Sequence, residues 1–209
     1  MCLQKKKKDN YTHFGRSKRV IRKTRKEINK DSVVSEHEVL NIVAMNVNSC
    51  HSEDRENMVK LGISTSKSDV IILYETKLGP ESNPVNVSGY KIVAQQDRKL
   101  GAGGIIVLCK DRIKVKEASA QTIDDGEDEN KEIQVTKFKI DDLMVIGVYR
   151  SPAATTPKSH AKLIEYLESA VEEHGSLPHV IVGDFNLPQL SKYDLIWRVA
   201  STLGTIDFT

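Results

Sequence analysis

The sequence predicts an α+β fold, in which many short strands form the core and only a few helices accompany them. Eight apolar or alternating stretches predict strands, at about 40–47, 69–75, 90–95, 104–109, 112–117, 132–140, 142–149 and 179–184. Two further stretches, at 53–61 and 158–174, have the spacing of apolar residues that is typical of helices. The 209 residues, 39% of them hydrophobic, are sufficient for one core.

Charge is distributed unevenly along the chain. Residues 1–30 contain 12 Lys and Arg against Asp9 and Glu27, a net charge of +10, which leaves −8 for residues 31–209. We therefore predict a basic disordered tail at 1–36, followed by one domain at 37–209. Such a tail would bind polyanions incidentally, and a nuclear address is the less favoured alternative.

The cysteines and the hydropathy pattern bear on the compartment. Cys2, Cys50 and Cys109 are widely spaced, which argues against a disulfide framework and against a structural zinc site. No apolar stretch approaches the ~18 residues of a membrane span. The basic N-terminus lacks the apolar region of a signal peptide. The sequence thus predicts an intracellular protein, nuclear or cytoplasmic and not secreted, with no membrane partner.

The first two predicted strands both end in polar side chains. Asn46 and Asn48 follow the first strand two residues apart, although asparagines also suit an ordinary strand-to-loop junction. A helix capped by Ser52 should come next, with Met58 and Leu61 facing the core. The second strand ends in Glu75 after a continuous apolar run.

An acid immediately after a buried strand is seldom there for packing, because burying a lone carboxylate is expensive. A Glu75 that faces the solvent is the alternative.

The middle of the chain contains a glycine-rich loop, an acidic loop and a hairpin. The glycines at 101–104 precede a strand and are not followed by Lys-Ser/Thr, so they favour tight backbone packing over nucleotide binding. The acidic loop at 124–129 lacks the spacing of an EF-hand. Strict alternation at 133–140, a turn at Asp141-Asp142 and an apolar run at 143–149 predict a β-hairpin that ends in Tyr149.

The last predicted helix leads into the most informative stretch. Its apolar face, Leu163, Tyr166, Leu167, Ala170 and Val171, is followed by Gly175 and Pro178. The strand after it ends in Gly183-Asp184-Phe185-Asn186, in which Asp184 and Asn186 should point to the same side. Asp184 is a hard oxygen ligand for a divalent cation, and Asn186 can donate a hydrogen bond to a phosphate or water. Simple turn chemistry is the alternative.

These motifs at strand ends, in this order, resemble the endonuclease/exonuclease/phosphatase superfamily, over roughly residues 40–190. Leu187-Pro188 and Tyr149-Arg150-Ser151-Pro152 resemble the endonuclease domain of LINE-type non-LTR retrotransposons. The resemblance implies a deoxyribonuclease I-like four-layer α/β/β/α sandwich, incomplete at the C-terminus. One of its sheets should then carry an open edge.

The resemblance also implies a set of functional residues. Mg²⁺, or Mn²⁺, would be held by Asn46, Glu75 and Asp184, and the catalytic residues would be Asn48, Tyr149, Asp184 and Asn186. Two carboxylates that repel each other are consistent with a cation between them. The implied partner is DNA, and no small-molecule cofactor is implied.

The sequence departs from the family pattern in several places. Ser49 and Ala102 stand where the family has glycine, and the family's later Asp and Ser-Asp-His have no counterpart. Asp194 and Asp207 fall short of those positions, and His51, His160, His174 and His179 do not match the family's histidine. We therefore expect a truncated endonuclease domain with little activity. The alternatives are a catalytically dead remnant that binds nucleic acid or metal, and a phosphatase of the same superfamily.

Overall fold

The computed structural model describes residues 40–123, 132–175 and 177–186. Every predicted strand and both predicted helices are present, which confirms the α+β class. The elements are β1 (Ile42–Asn46), α1 (Glu53–Ser66), β2 (Val70–Tyr74), β3 (Tyr90–Gln96), β4 (Ile105–Lys110), β5 (Val115–Ile123), β6 (Ile133–Ile140), β7 (Leu143–Arg150), α2 (Pro157–His174) and β8 (His179–Asp184). The predicted tail, the acidic loop and Leu187-Pro188 lie outside the described residues.

The strands form two mixed sheets of four. In the first sheet the order is β1-β2-β4-β3, with β1 parallel to β2 and the other pairs antiparallel. In the second the order is β5-β6-β7-β8, with only β7 and β8 parallel. The predicted hairpin is confirmed, since β6 pairs with β7 through the whole register from Ile133↔Arg150 to Ile140↔Leu143. Among the described strands, β8 lies at one edge of its sheet.

Alternation of side chains along each strand produces four layers. In β2, Val70, Ile72 and Tyr74 face the second sheet, whereas Ile71 and Leu73 face the layer that contains α1. In β7, Val145 and Tyr149 face the first sheet, whereas Met144, Ile146 and Val148 pack with α2. Both central strands are therefore buried on two faces, and the predicted α/β/β/α sandwich is confirmed.

Helix α1 differs from the prediction in length and in its buried face. Ser52 is the N-cap, as expected, and accepts a hydrogen bond from the Arg55 N–H. Met58 and Leu61, however, are 48% and 66% exposed, and the residues that pack against the first sheet are Val59 and Ile63. The helix continues to Ser66, so that Ile63 is added one turn after Val59, and these two residues form the stripe that meets the sheet.

Two other elements refine the sequence expectations. Strand β5 runs from Val115 to Ile123 and not over 112–117, because the turn that precedes it still includes Ile113, whose N–H donates to Lys110 O. Helix α2 has the predicted apolar face, with Leu163, Leu167 and Ala170 buried. Neither described helix is long and apolar enough to cross a membrane.

Candidate metal and phosphate site

Four strands, two from each sheet, bring polar residues to the same end of the sandwich. Asn46 is paired with Tyr74 at the last position of the β1–β2 register, and Tyr149 is paired with Asp184 at the last position of β7–β8. Asn46 Nδ2 donates a hydrogen bond of 2.7 Å to Asp184 Oδ2 and so joins one sheet to the other. The ends of β1 and β8 therefore meet, with the half-buried Asp184 carboxylate between the two sheets.

Glu75 reaches this point through an unusual backbone conformation. Continued alternation of β2 would send its side chain towards α1, as it does Ile71 and Leu73. Glu75 has instead a φ of 54°, in the left-handed region, and β2 ends at Tyr74. Its Oε1 accepts a hydrogen bond of 3.2 Å from the Tyr149 hydroxyl, which belongs to the other sheet. The turn after the strand thus redirects the carboxylate to the inner side of the sandwich.

Tyr149 lies between the two carboxylates. Its side chain is buried and stacked on the ring of Tyr74, with the ring centroids 6.5 Å apart. Burial raises the pKa of Tyr149, and so do the charge and hydrogen bond of Glu75 and the charge of Asp184. The phenol therefore stays protonated and acts as a hydrogen-bond donor.

The side chains of Asn46, Asn48 and Lys77 form a chain of contacts beside Glu75. Asn46 Oδ1 accepts a hydrogen bond from the backbone N–H of Asn48, and Asn48 Oδ1 accepts one of 2.5 Å from Lys77 Nζ. The same ammonium group is 3.9 Å from Glu75 Oε2. Sequence reasoning missed Lys77; the available signal was its position two residues after Glu75.

The glycine-rich loop at 101–104 packs against the segment that follows Glu75. Gly104 N donates to the buried Gln134 Oε1 at 2.8 Å, and the carbonyl of Gly103 accepts from Lys77 N at 2.7 Å. A Cβ atom on Gly104, which has a φ of +95°, would lie only 2.1 Å from Thr76 Oγ1. These contacts confirm close backbone packing at Gly103 and Gly104, whereas a Cβ atom on Gly101 would meet nothing within 4 Å. They fix the segment that follows Glu75.

The turn after β8 is fastened to β7. Asn186 has a φ of 42°, its N–H donates to Asp184 Oδ1 at 3.4 Å, and its side-chain Nδ2 donates to Arg150 O at 2.7 Å. The amide that was expected to face a phosphate is therefore bound to the backbone of the neighbouring strand. The catalytic role of Asn186 stays a prediction, as do the roles of Asn46, Asn48, Glu75, Tyr149 and Asp184.

The residues present fit a hard divalent cation. Within the described ranges, no three His, Cys, Asp or Glu side chains come together as a metal cage. A cation here would be held by the carboxylates of Glu75 and Asp184 and the amide oxygen of Asn46, which are the oxygen ligands that Mg²⁺ and Mn²⁺ prefer. Both carboxylates are neighbours of Tyr149: Glu75 Oε1 accepts the hydrogen bond of its hydroxyl at 3.2 Å, and Asp184 is its partner in the β7–β8 register.

The described histidines lie elsewhere. His174 faces Glu117 and Glu173, at 3.7 Å from each. Burial and the charge of Arg150 lower the pKa of His160, which belongs to α2. Of the four histidines in the described part, none contacts either carboxylate of the site.

Comparison with known proteins identifies the fold. No protein-family profile and no curated protein matches the chain. Among solved structures, the 3′ phosphatase NExo from Neisseria, bound to a product DNA hairpin, matches with 23% identity and a TM-score of 0.54, over 69% of this chain and 57% of that one. An AP endonuclease from Archaeoglobus fulgidus matches with 21% identity and a TM-score of 0.51, over 68% and 56%.

A third solved structure is similar over more of its length. It is an endonuclease/exonuclease/phosphatase family protein from Leptotrichia buccalis, with 13% identity and a TM-score of 0.54, over 77% of this chain and 72% of that one. The chain spans little more than half the length of the first two structures. The chain thus has the deoxyribonuclease I-like fold.

Proposed function

We propose that this protein is a divalent-metal-dependent phosphodiesterase that nicks DNA, similar to the endonuclease domain of a non-LTR retrotransposon. The observation that carries the proposal is the meeting of the two sheets through polar contacts at the site. Asp184 Oδ2 is 2.7 Å from Asn46 Nδ2, and Glu75 Oε1 is 3.2 Å from the Tyr149 hydroxyl. Two carboxylates and a phenol joined by these contacts are suited to binding a cation and a phosphate together. Asn46 Oδ1, which accepts from the Asn48 N–H in this structure, would be the further oxygen ligand.

Each group has a chemical task in this proposal. Glu75, Asp184 and Asn46 would hold Mg²⁺, which when bound would polarise a phosphoryl oxygen and stabilise the leaving oxygen. Tyr149 has a single hydroxyl proton, which it donates to Glu75 Oε1 in this structure. When a phosphate binds, the hydroxyl would turn this proton from Glu75 to a phosphate oxygen and so orient the group. The exposed side chain of Asn48 is a second contact for the phosphate.

DNA is the substrate that several observations favour. Two similar structures are described as a phosphatase bound to a product DNA hairpin and as an AP endonuclease. The net charge of +10 on residues 1–30 would add affinity for a polyanion without adding sequence preference. The retrotransposon type is supported by Leu187-Pro188 and by Tyr149-Arg150-Ser151-Pro152 alone.

One observation favours a second candidate, a protein that binds DNA and metal without cleaving. None of the described histidines contacts Glu75, Asp184 or Tyr149, so no described histidine is placed to accept a proton from the attacking water. General-base catalysis typically contributes ~10²–10⁴-fold. We therefore expect slow cleavage, unless residues outside the described ranges supply the base.

A nicking assay on supercoiled plasmid with Mg²⁺ tests the proposal. Wild-type protein should convert the plasmid slowly to the open circle, and Glu75→Gln and Asp184→Asn should abolish the conversion. Glu56→Gln is the matched control, because Glu56 lies on α1 and pairs with the neighbouring Lys60 at 2.7 Å. Equal nicking by wild type and Glu75→Gln would exclude this site as the origin of the activity.

Binding and phosphatase assays separate the alternatives. Binding of wild type to labelled duplex DNA without nicking, lost at high salt, would favour the binding protein. Release of phosphate from a 3′-phosphorylated oligonucleotide, with the plasmid left intact, would favour a phosphatase of the same fold.

A further inference from the structure

Arg150 is the most deeply buried charged residue beside the site. It directly follows Tyr149 in β7, and alternation places its side chain on the α2 side of the sheet, with Met144, Ile146 and Val148. The residue is 1% exposed. Its Nη1 donates one hydrogen bond of 3.3 Å to Phe185 O, whereas Nε and Nη2 have no hydrogen-bond partner in the part of the chain that the structure describes.

Such an arrangement is poorly explained by a contribution to stability. Burying a guanidinium costs free energy, and one long hydrogen bond to a carbonyl oxygen offsets only part of that cost. The same burial lowers the pKa of Arg150, which reflects the penalty on its charged form. An apolar side chain of similar length would fill the space against α2 without this penalty.

Arg150 forms two hydrogen bonds with the turn after β8. Its guanidinium donates to the carbonyl of Phe185, and its own carbonyl accepts the Asn186 Nδ2 hydrogen bond of 2.7 Å. Asp184, the residue before Phe185, is held on its other side by Asn46 Nδ2. Arg150 on the outside and Asn46 on the inside thus fasten the short segment that carries the Asp184 carboxylate.

We propose that Arg150 is a positioning residue, which fixes the Phe185 carbonyl and thereby aims the Asp184 carboxylate at the cation. The inference rests on the proposed function, since it assumes that Asp184 is a metal ligand. Residues that orient a metal ligand through hydrogen bonds, without touching the metal, typically change metal affinity by ~10–100-fold when they are mutated. Arg150 would therefore contribute to the site at the expense of stability.

Two measurements on the full 209-residue chain test this inference. Calorimetric titration with Mn²⁺ alone gives metal affinity, and urea denaturation without metal gives the free energy of unfolding. Arg150→Met should bind Mn²⁺ at least ~10-fold more weakly while its free energy of unfolding equals or exceeds that of wild type. Arg112→Met is the matched control, because Arg112 pairs with Asp69, at 2.7 Å, away from the site. It should lose stability and keep the metal affinity.

The outcomes distinguish this inference from the proposed function. If Asp184→Asn binds Mn²⁺ as well as wild type, the proposed metal site is wrong. If Asp184→Asn loses Mn²⁺ binding but Arg150→Met retains wild-type affinity, only the role of Arg150 is wrong. A folded Arg150→Met that is less stable than wild type would indicate a counter-charge outside the described residues and would overturn the inference.

Arg150→Lys decides the case in which Arg150→Met does not fold. A lysine keeps the charge but cannot reproduce the planar fork of the guanidinium. Weakened Mn²⁺ binding by a folded Arg150→Lys would support the positioning role, whereas wild-type affinity would refute it.

Discussion

Gly183, next to Asp184, is the position where we expect one added methyl group to disturb the site most. A Cβ atom there would lie 2.4 Å from the carbonyl oxygen of Val148 and 3.0 Å from the Phe185 ring. The φ of Gly183 is outside the left-handed region, so the cost of Gly183→Ala is steric. Since the nearest atom belongs to the backbone of β7, the added atom can be accommodated only if β8 moves away from its parallel partner.

The magnitude follows from two opposing effects. Overpacking of this kind costs ~1–3 kcal/mol, and a backbone obstacle places Gly183→Ala near the upper end. The lower entropy of an unfolded chain with alanine returns about 0.4–1 kcal/mol. We expect a net loss of about 2 kcal/mol in the free energy of unfolding, measured by urea denaturation. We also expect weaker Mn²⁺ binding, measured by calorimetry, because Asp184 moves with β8.

Gly175→Ala is the control for this prediction. Gly175 is the C-cap of α2, has a φ of +54°, and a Cβ atom there would meet nothing within 4 Å. Its substitution should cost ~1–3 kcal/mol through backbone strain and leave Mn²⁺ affinity unchanged. A Gly183→Ala protein as stable as wild type would refute the packing argument. A destabilised one with full metal affinity would show that Asp184 does not depend on the spacing of β7 and β8.

Two further predictions concern charged groups. Lys77→Met should bind Mn²⁺ about fivefold more tightly in calorimetry, since it removes an ammonium group that repels the cation by ~1 kcal/mol even at a water-like dielectric constant. Lys60→Met, on α1 and away from the site, is its control. Unchanged affinity of Lys77→Met would show that Lys77 moves away freely. Burial raises the pKa of Asp69, but hydrogen bonds from Asn41, Lys110 and Arg112 outweigh it and hold this pKa below 3.8. Its ionised form therefore stabilises the fold above that pH, and Asp69→Asn should be less stable than wild type at pH 7, with the difference shrinking below pH 3.8 in urea titrations. A difference independent of pH would refute the assignment.

The sequence allowed the strands and most of the site to be predicted, because both depend on local patterns. Strand ends are visible where an apolar run stops, and the polar residues Asn46, Glu75, Tyr149 and Asp184 stand at four of them. The buried face of α1 was harder to predict from the sequence, because the helix has two apolar stripes. Only its extension to Ser66 favours the stripe that contains Val59.

Arg150 is a residue whose burial could not be predicted from the sequence. In the sequence, Arg150 is only part of the stretch Tyr149-Arg150-Ser151-Pro152. Nothing in its neighbours showed that its side chain would be buried under the turn after β8. That depends on the parallel pairing of β7 and β8, two strands separated in the chain by a whole helix. Long-range pairing of this kind leaves no local signal at the position that it buries.

The loops of the site contain strained backbone that is held by hydrogen bonds between them, so they can be ordered before any ligand arrives. Among the described residues, eight non-glycine residues have positive φ, and five of them lie at the site: Asn48, Ser49, Glu75, Lys77 and Asn186. Such conformations cost of order 1–3 kcal/mol each and persist only where surrounding contacts hold them. Here hydrogen bonds between loops do so, from Ser49 N to Glu75 O and from Lys77 N to Gly103 O, both 2.7 Å. The folding of the sandwich thus sets the positions of the carboxylates in advance, and a cation that binds there does not have to order the loops itself.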